Sequence, residues 1–208
     1  MPKKKVGIID YGAGNLGSLC AAVEYIGRNI SLIQDAHSLD RRSPVIFPGV
    51  GSFPHAVERL KSVGLFESLS EMATSQIPIF GICLGMQVLF TDSQEDEITN
   101  GLGLFNGHVT KFDRSVGRNM IPHIGFNNIS RISTNKPDIL RQVSGDTDYY
   151  FVHSFAVKDS SDNSSFAFTE NGEEFVSVVQ NENLVGVQFH PEKSQNGGLK
   201  ILKNFMEM

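Results

Sequence analysis

The segment Ile77-Pro-Ile-Phe-Gly-Ile-Cys-Leu-Gly-Met-Gln87 joins an apolar run to a Gly-x-Cys-x-Gly turn and the start of a predicted helix. Strand, turn and helix in this order predict the cysteine form of a nucleophile elbow, with Cys83 in the turn and the helix beginning at Leu84. Gly81 and Gly85 leave room for the strained backbone of such a turn. The segment therefore predicts an α/β fold with a thiol at the carboxyl end of a central strand.

The surroundings of Cys83 are those of a nucleophile. The N–H groups at a helix N-terminus favour a thiolate over a thiol, and the N–H of Leu84 is placed to receive an oxyanion. A second apolar strand enters a glycine-rich turn that contains Gly49, Val50 and Gly51. The backbone N–H groups there are candidate donors to a developing negative charge, where such donors contribute most to catalysis. Taken alone, this turn also fits an ordinary strand-to-helix loop.

A candidate base and carboxylate lie in Val187-Gln-Phe-His-Pro-Glu-Lys-Ser194. His190 is far from Cys83 in sequence, so only tertiary folding can bring them together, as is normal for cysteine–histidine catalytic pairs. In an extended segment, Glu192 points the same way as His190 and can fix the imidazole tautomer and stabilise its charged form. Cys20 lies in an apolar helical segment without a turn or a partner, and we interpret it as a core residue.

These motifs resemble the class I, triad-type glutamine amidotransferases. The three segments that carry the resemblance occur in the family's order: Pro48-Gly-Val-Gly51, Gly81-Ile-Cys-Leu-Gly-Met-Gln87 and Phe189-His-Pro-Glu-Lys-Ser194. Four further segments extend the resemblance over essentially the whole chain. They are similar to segments of the glutaminase subunits that work with a separate cyclase: Asp10-Tyr-Gly-Ala-Gly-Asn15, Gly101-Leu-Gly-Leu104, Pro122-His-Ile-Gly-Phe-Asn127 and Phe151-Val-His-Ser154.

The resemblance implies glutamine hydrolysis through a thioester at Cys83, with His190 as the acid and then the base, and no cofactor. It implies that ammonia passes to a separate (β/α)8-barrel cyclase subunit of histidine biosynthesis, in a heterodimer. The family's catalytic triad corresponds here to Cys83, His190 and Glu192. Its glutamine contacts correspond to Gly51, Gln87, Glu95, His153 and Ser154.

Two of these contacts have a structural alternative. Glu95 lies in the acidic run Asp92-Ser-Gln-Glu-Asp-Glu97, which also fits a solvated helix end and loop. His153 also fits a strand residue whose hydrogen bonds are satisfied inside the protein. Two positions depart from the family pattern, since Phe126 stands where tryptophan is usual and Phe155 where tyrosine is common. Each change removes a hydrogen-bonding group.

Several other functions are compatible with parts of the sequence. Within the family, a paralogous glutaminase that supplies ammonia for sugar amidation in surface-polysaccharide assembly is the alternative. Outside it, Gly12-Ala-Gly-Asn-Leu-Gly17 matches the dinucleotide fingerprint through Gly12, Gly14 and Gly17, and Asp35 lies near the distance for a ribose contact. A stand-alone cysteine hydrolase would use the same elbow, and a catalytically silent binding subunit is disfavoured by the intact triad.

The composition limits the size of the protein and the classes of function it can have. The 208 residues, 40% of them hydrophobic, suit one amidotransferase domain over 1–208 with a sizeable core. A formal charge of −5 argues against binding to nucleic acid or to an anionic membrane. No apolar run is long enough for a membrane span, which predicts a cytoplasmic location. The two cysteines do not indicate a disulfide, and the six histidines are too scattered for a metal site.

The order of apolar runs predicts the architecture. Strand-like residues 6–9, 30–33, 45–47 and 77–82 alternate with helix-like residues 16–27, 53–63 and 65–75, which indicates parallel βαβ units. The second half reads as antiparallel strands at 149–157, 165–169, 175–180 and 184–189, followed by a helix at 197–206. The predicted fold class is α/β, with a mixed, mostly parallel sheet flanked by helices and an antiparallel extension.

Overall fold

A computed structural model of the chain describes residues 5–12, 16–116, 121–160 and 163–208. In its first half, strands and helices alternate as the sequence predicts. The elements up to the elbow are β1 (Lys5–Ile9), α1 (Gly17–Tyr25), β2 (Asn29–Ile33), β3 (Val45–Gly49), α2 (Phe53–Ser62), α3 (Leu65–Ala73) and β4 (Ile79–Cys83). The dinucleotide prediction depends partly on Gly14, which lies outside the described residues.

After the elbow, the elements are shorter and mostly strands. They are α4 (Leu84–Val88), β5 (Phe90–Ser93), β6 (Thr99–Asn100), β7 (Phe105–Lys111), β8 (His123–Asn128), β9 (Arg131–Ile132), β10 (Asp148–His153), β11 (Phe155–Val157), β12 (Ser165–Glu170), β13 (Glu174–Asn181), β14 (Leu184–Val187) and α5 (Gln195–Phe205). Two 3-10 helices, Asp138–Leu140 and Pro191–Lys193, complete the set of elements in the described residues.

The main sheet has eight strands in the order β2-β1-β3-β4-β14-β13-β12-β9. The five strands from β2 to β14 run parallel, and β13, β12 and β9 extend the sheet antiparallel. The predicted fold class is therefore confirmed. One detail of the prediction is wrong, because β14 belongs to the parallel part and pairs with β4, its Val187 lying beside Ile82.

Helices cover both faces of the main sheet. Helix α2 buries Phe53, Ala56, Val57 and Leu60, a spacing that places all four on one side of the helix. They share a core with α3, while α1 and α5 pack in a second core. Each fully buried Leu, Phe or Val contributes about 1.5–3 kcal/mol. These two cores hold β4, and with it Cys83, in the middle of the molecule.

The predicted strand at 149–157 is two strands in two different sheets. β10 pairs antiparallel with β8, whereas β11 pairs with β7 in a four-stranded sheet. The chain changes sheets at Ser154, which belongs to neither strand. The sequence from 149 to 157 is apolar on both sides of the single pair His153-Ser154, and such a short polar interruption does not distinguish two strands from one. The break matters because Ser154 lines the same cavity as Cys83, described below.

Two further properties concern the described part of the chain. None of its helices is long and apolar enough to cross a membrane. Within the same residues, no group of three or more His, Cys, Asp or Glu side chains is arranged to hold a metal ion.

Candidate active site

The elbow around Cys83 has the strained geometry that the sequence predicts. Cys83 has φ 55° and ψ −112°, in a region that non-glycine residues rarely occupy and that costs about 1–3 kcal/mol. A Cβ on Gly81 would lie 2.7 Å from the backbone N of Met86, and one on Gly85 would lie 1.8 Å from the carbonyl oxygen of Phe47. Backbone packs this closely around the turn, so both glycines are required there.

The helix after the elbow is shorter than a typical helix. α4 has five residues, Leu84–Val88, which is little more than one turn. Its macrodipole is correspondingly small, so any stabilisation of an anion must come mainly from the unpaired N–H groups of its first turn, including that of Leu84. Gly49 lies beside Cys83 in the register of β3 and β4. It packs against the elbow rather than lining the cavity described below.

The backbone of His190 is fixed from both sides. Its N–H donates to the carbonyl oxygen of Tyr150 at 2.8 Å, and its carbonyl oxygen accepts from the hydroxyl of Ser194 at 2.6 Å. The expected extended segment is wrong, because Pro191–Lys193 form a 3-10 turn. The turn nevertheless places the Glu192 carboxylate 2.8 Å from His190 Nδ1. Nδ1–H therefore donates to Glu192, and Nε2, which has no hydrogen-bond partner among the described residues, is left for Cys83 and substrate.

Opposing effects set the protonation of His190. Burial disfavours the imidazolium, but interactions with Cys83 and Glu192 outweigh that cost and raise the pKa of His190 from 6.5 to about 10. A proton held more tightly in the folded state stabilises the fold fully below pH 6.5, and that contribution is lost as the pH rises through about 10. The site thus favours a charged imidazolium at neutral pH.

One cavity of about 320 Å³ brings most of the predicted site residues together. Glu192 is behind His190 and is absent from the wall. Val152 and Phe155 are in the wall although the sequence did not single them out for it. The lining residues are Val50, Gly51, Cys83, Leu84, Gln87, Glu95, Val152, His153, Ser154, Phe155 and His190.

Glu95 is fixed at the cavity rather than solvated at a helix end. One of its carboxylate oxygens accepts the backbone N–H of Phe53 at 2.8 Å, at the start of α2. Its own N–H donates to the hydroxyl of Ser93 at 3.1 Å. A carboxylate held at this position in a cavity wall is suited to an ammonium group, because opposite charges attract strongly when partly shielded from water.

His153 lines the cavity, but its ring is used inside the protein. A carbonyl oxygen only accepts, so Nδ1–H donates to the carbonyl of Phe155 at 2.9 Å. Nε2 faces Nδ1 of the buried His123 at 3.2 Å and accepts from it. Burial, with the neighbouring His123 and His190, lowers the pKa of His153 to about 3. The neutral ring therefore fits the structural interpretation better than a direct hydrogen bond to substrate.

Gln188 is a residue at the nucleophile that sequence reasoning missed. Its side-chain Nε2 lies 3.6 Å from Cys83 Sγ, and its Oε1 accepts from Nε2 of Gln87 at 3.0 Å. The available signal was a single amide between the apolar residues Val187 and Phe189, which is unusual at the end of a buried strand.

Comparisons with known proteins assign the chain to a family. Residues 7–208 match the family described as glutamine amidotransferase class-I. The chain belongs to this family, and the predicted glutamine amidotransferase function is confirmed at that level. Solved structures with the same fold include PurLQS from Thermotoga maritima, with TM-score 0.69 and 19% identity over 99% of this chain and 98% of that one.

Curated relatives narrow the similarity to one kind of subunit. An imidazole glycerol phosphate synthase subunit HisH from Caldanaerobacter subterraneus subsp. tengcongensis is 41% identical over 98% of this chain and 98% of its own. A subunit of the same name from Methanosarcina acetivorans is 42% identical over 99% of both chains. The resemblance to the glutaminase subunit of this synthase, predicted from the sequence, is confirmed.

Proposed function

We propose that the chain hydrolyses glutamine with Cys83, His190 and Glu192 and supplies the ammonia to a separate (β/α)8-barrel cyclase subunit in histidine biosynthesis. The observation that carries the proposal is the shared cavity wall, in which the strained Cys83 and the imidazole tied to Glu192 face one space. A cysteine nucleophile beside an oriented imidazole is the arrangement for acyl transfer. A wall that also holds Glu95 suits a substrate with an α-amino group.

The reaction follows from the positions of these groups. The thiolate of Cys83 attacks the side-chain carbonyl carbon of glutamine, and the imidazolium of His190 gives its proton to the departing ammonia. Neutral His190 then takes a proton from water, which attacks the thioester and releases glutamate and the thiolate. Glu192 keeps the tautomer correct throughout, because Nδ1–H stays bonded to it.

When Cys83 attacks, negative charge develops on the carbonyl oxygen of glutamine, and hydrogen-bond donors near the turn after β3 can stabilise it. We propose the N–H groups of Leu84 and of the Val50–Gly51 segment for this role. Gly51 has φ +100°, which only glycine adopts without strain, and Val50 is 45% exposed. We propose that binding of the partner and its loaded acceptor orients this exposed turn, so that glutamine is not hydrolysed wastefully.

Alkylation by an electrophilic analogue tests the nucleophile. A glutamine analogue with a diazoketone in place of the amide should label the chain once, at Cys83, when it is mixed with the source organism's histidine-pathway cyclase. Peptide mapping by mass spectrometry locates the label. Labelling at Cys20, or no labelling while the mixture turns over glutamine, would remove Cys83 as the nucleophile.

Replacing Glu192 by glutamine should lower the pKa of His190 from about 10 toward its ordinary value of 6.5, because the carboxylate that stabilises the imidazolium is lost. An NMR titration of the imidazole C2–H, assigned by its absence in a His190→Asn variant, measures this. Glu174→Gln is the matched control, since that carboxylate pairs with Arg131 instead. An unchanged His190 titration in Glu192→Gln would contradict the proposed orienting role.

We propose that the partner docks near β8, next to the active site. Ile124 and Phe126 point outward from β8 and are 50% and 53% exposed. The ring of Phe126 contacts Tyr150, whose carbonyl oxygen holds the N–H of His190. An exposed apolar pair in contact with the catalytic segment is suited to a protein interface, and partner binding there can affect the active site.

Replacing Phe126 by aspartate should therefore weaken binding of the cyclase at least about tenfold, since a buried charge replaces an apolar anchor. Tyr25→Asp is the matched control: Tyr25 is an aromatic residue, 80% exposed, at the end of α1 and not on β8. Isothermal titration calorimetry with the cyclase compares both variants with the parent chain. If both changes weaken cyclase binding equally, or if neither weakens it, β8 is not part of the interface.

Two alternatives remain as outcomes of experiment. The HisH relatives favour histidine biosynthesis over sugar amidation, and glutamate release stimulated only by a sugar-amidating partner would reverse that choice. A dinucleotide-binding protein would be stabilised against heat by NAD and not by glutamine analogues. In the structure, Asp35 accepts the N–H of Ser38 in a local turn. We also propose a cytoplasmic location, as expected for a biosynthetic enzyme of this kind.

A further inference from the structure

Gln188 faces the nucleophile from behind the cavity wall and has no exposed surface. It follows β14, and its backbone N–H donates to the carbonyl oxygen of Ser177 at 2.9 Å. A fully buried amide is costly unless its donors and acceptor are paired. Its side-chain oxygen accepts from Gln87 and its nitrogen faces Cys83 Sγ. Burial, strand and hydrogen bonds together fix this side chain.

The direction of these hydrogen bonds is set by a backbone group. The carbonyl oxygen of Phe155 can only accept, so the NH₂ of Gln87 must face it, at 2.9 Å. The second hydrogen of that NH₂ points to Oε1 of Gln188. The NH₂ of Gln188 is thereby turned toward the sulfur of Cys83. Donation therefore runs outward from the NH₂ of Gln87, to Phe155 on one side and through Gln188 to the nucleophile on the other, and rotating either amide by 180° would break these bonds.

We propose that Gln188 is a positioning residue that holds the sulfur of Cys83 and connects it, through Gln87, to the cavity wall at Phe155. This inference rests on the proposed function, in which Cys83 is the nucleophile. A neutral amide donor stabilises negative charge on sulfur without exchanging a proton with it. It therefore favours formation of the thiolate before attack, and it stabilises the charge that returns to sulfur when the C–S bond of the thioester breaks. His190 handles the protons in both steps.

The orientation of the Gln87 amide also decides which of its atoms is free for substrate. Both hydrogens of its NH₂ are committed, and its Oε1 has no hydrogen-bond partner in the described ranges. Gln87 lines the cavity, so this oxygen is an acceptor for an N–H of bound glutamine. Substrate contact at Gln87 and the position of Cys83 are then coupled through two amides that move together.

The test uses the full chain in complex with its cyclase. Gln188→Leu keeps similar volume but removes the donor, and kcat for glutamine hydrolysis should fall about 10- to 100-fold, as for loss of a hydrogen bond to a charged group. KM should change less than about threefold, because the interaction is made with the nucleophile rather than with substrate. Alkylation of Cys83 by iodoacetamide should slow in parallel. Cys20, in α1, is the internal reference for alkylation in the same sample.

Two more variants separate positioning from simple packing. Gln188→Glu keeps the shape and the acceptor for Gln87 but offers no donor to sulfur, so it should lose as much activity as the leucine variant. Gln180→Leu is the matched control, since Gln180 is a glutamine of β13 that accepts the N–H of Ile139 and is absent from the cavity wall. It should keep parental kcat and parental Cys83 alkylation.

The outcomes distinguish this inference from the function on which it rests. A folded Gln188→Leu or Gln188→Glu variant with kcat and Cys83 alkylation within about twofold of the parent overturns the inference alone, since a lost hydrogen bond to charge costs more. If the leucine variant does not fold, the glutamate variant decides. Glutamine hydrolysis retained by Cys83→Ala overturns the proposed function itself. A loss of stability with unchanged alkylation would assign Gln188 a purely structural role.

Discussion

Replacing Cys83 by alanine is expected to lower glutamine hydrolysis by about 10⁴-fold or more, as for removal of other catalytic nucleophiles. The sulfur is the atom that forms the thioester, and neither His190 nor a water in the cavity can replace it in a two-step reaction. Alanine at this position still has to adopt φ 55°, so the strain of the elbow is unchanged. Folding and binding of the cyclase should therefore be retained. Glutamate release, measured with the partner and acceptor present, gives the rate.

Cys20→Ser is the matched control for this change. Cys20 is also a free cysteine, but it lies in α1 at the edge of the core and outside the cavity wall. The variant should keep the parental rate. Substantial hydrolysis by Cys83→Ala, or an equal loss in both variants, would show that Cys83 is not the nucleophile.

Replacing Gly85 by alanine is expected to lower the free energy of unfolding by about 3 kcal/mol, because the added carbon has no space. It would lie 1.8 Å from the carbonyl oxygen of Phe47 and 2.8 Å from its carbonyl carbon. Both atoms belong to the backbone of β3, so relief requires β3 and the elbow to separate. Such a shift moves the Val50–Gly51 turn relative to Cys83, and a displacement of about 1 Å costs on the order of a hundredfold in rate.

Gly145→Ala serves as the matched control for backbone packing. A Cβ there would have no neighbour within 4 Å, and its φ is not in the left-handed region. Its unfolding free energy should stay within about 0.5 kcal/mol of the parent. Urea unfolding followed by circular dichroism compares the two variants. Equal stability of Gly85→Ala and Gly145→Ala would contradict the close approach of β3 to the elbow.

The parts of the fold that sequence predicted well are those with strong local signals. A five-residue apolar strand, two spaced glycines and a helix start predict the elbow at Cys83 because each signal demands the same backbone path. The parallel half of the sheet was predictable for the same reason. Alternation of apolar strands with amphipathic helices such as α2 permits few other arrangements.

The parts that sequence could not give depend on contacts between distant segments. The break at Ser154 lies in an apolar segment interrupted only by His153-Ser154, and only the pairing with β8 and β7 reveals that the two halves belong to different sheets. The solvated alternative for Glu95 stayed open in the sequence because its partner, the N–H of Phe53, is a backbone group that no pattern marks. Gln188 was missed because its role depends on which way Gln87 faces, and that is decided by the carbonyl of Phe155.

The most direct test of the central claim is glutamate release by this chain mixed with the source organism's histidine-pathway cyclase, with and without the cyclase's ribulosyl aminoimidazole acceptor. The proposed function predicts release that requires Cys83, rises strongly when acceptor is added, and matches the imidazole product one for one. Glutamate release at the same rate with or without cyclase and acceptor would contradict the proposed transfer of ammonia between subunits.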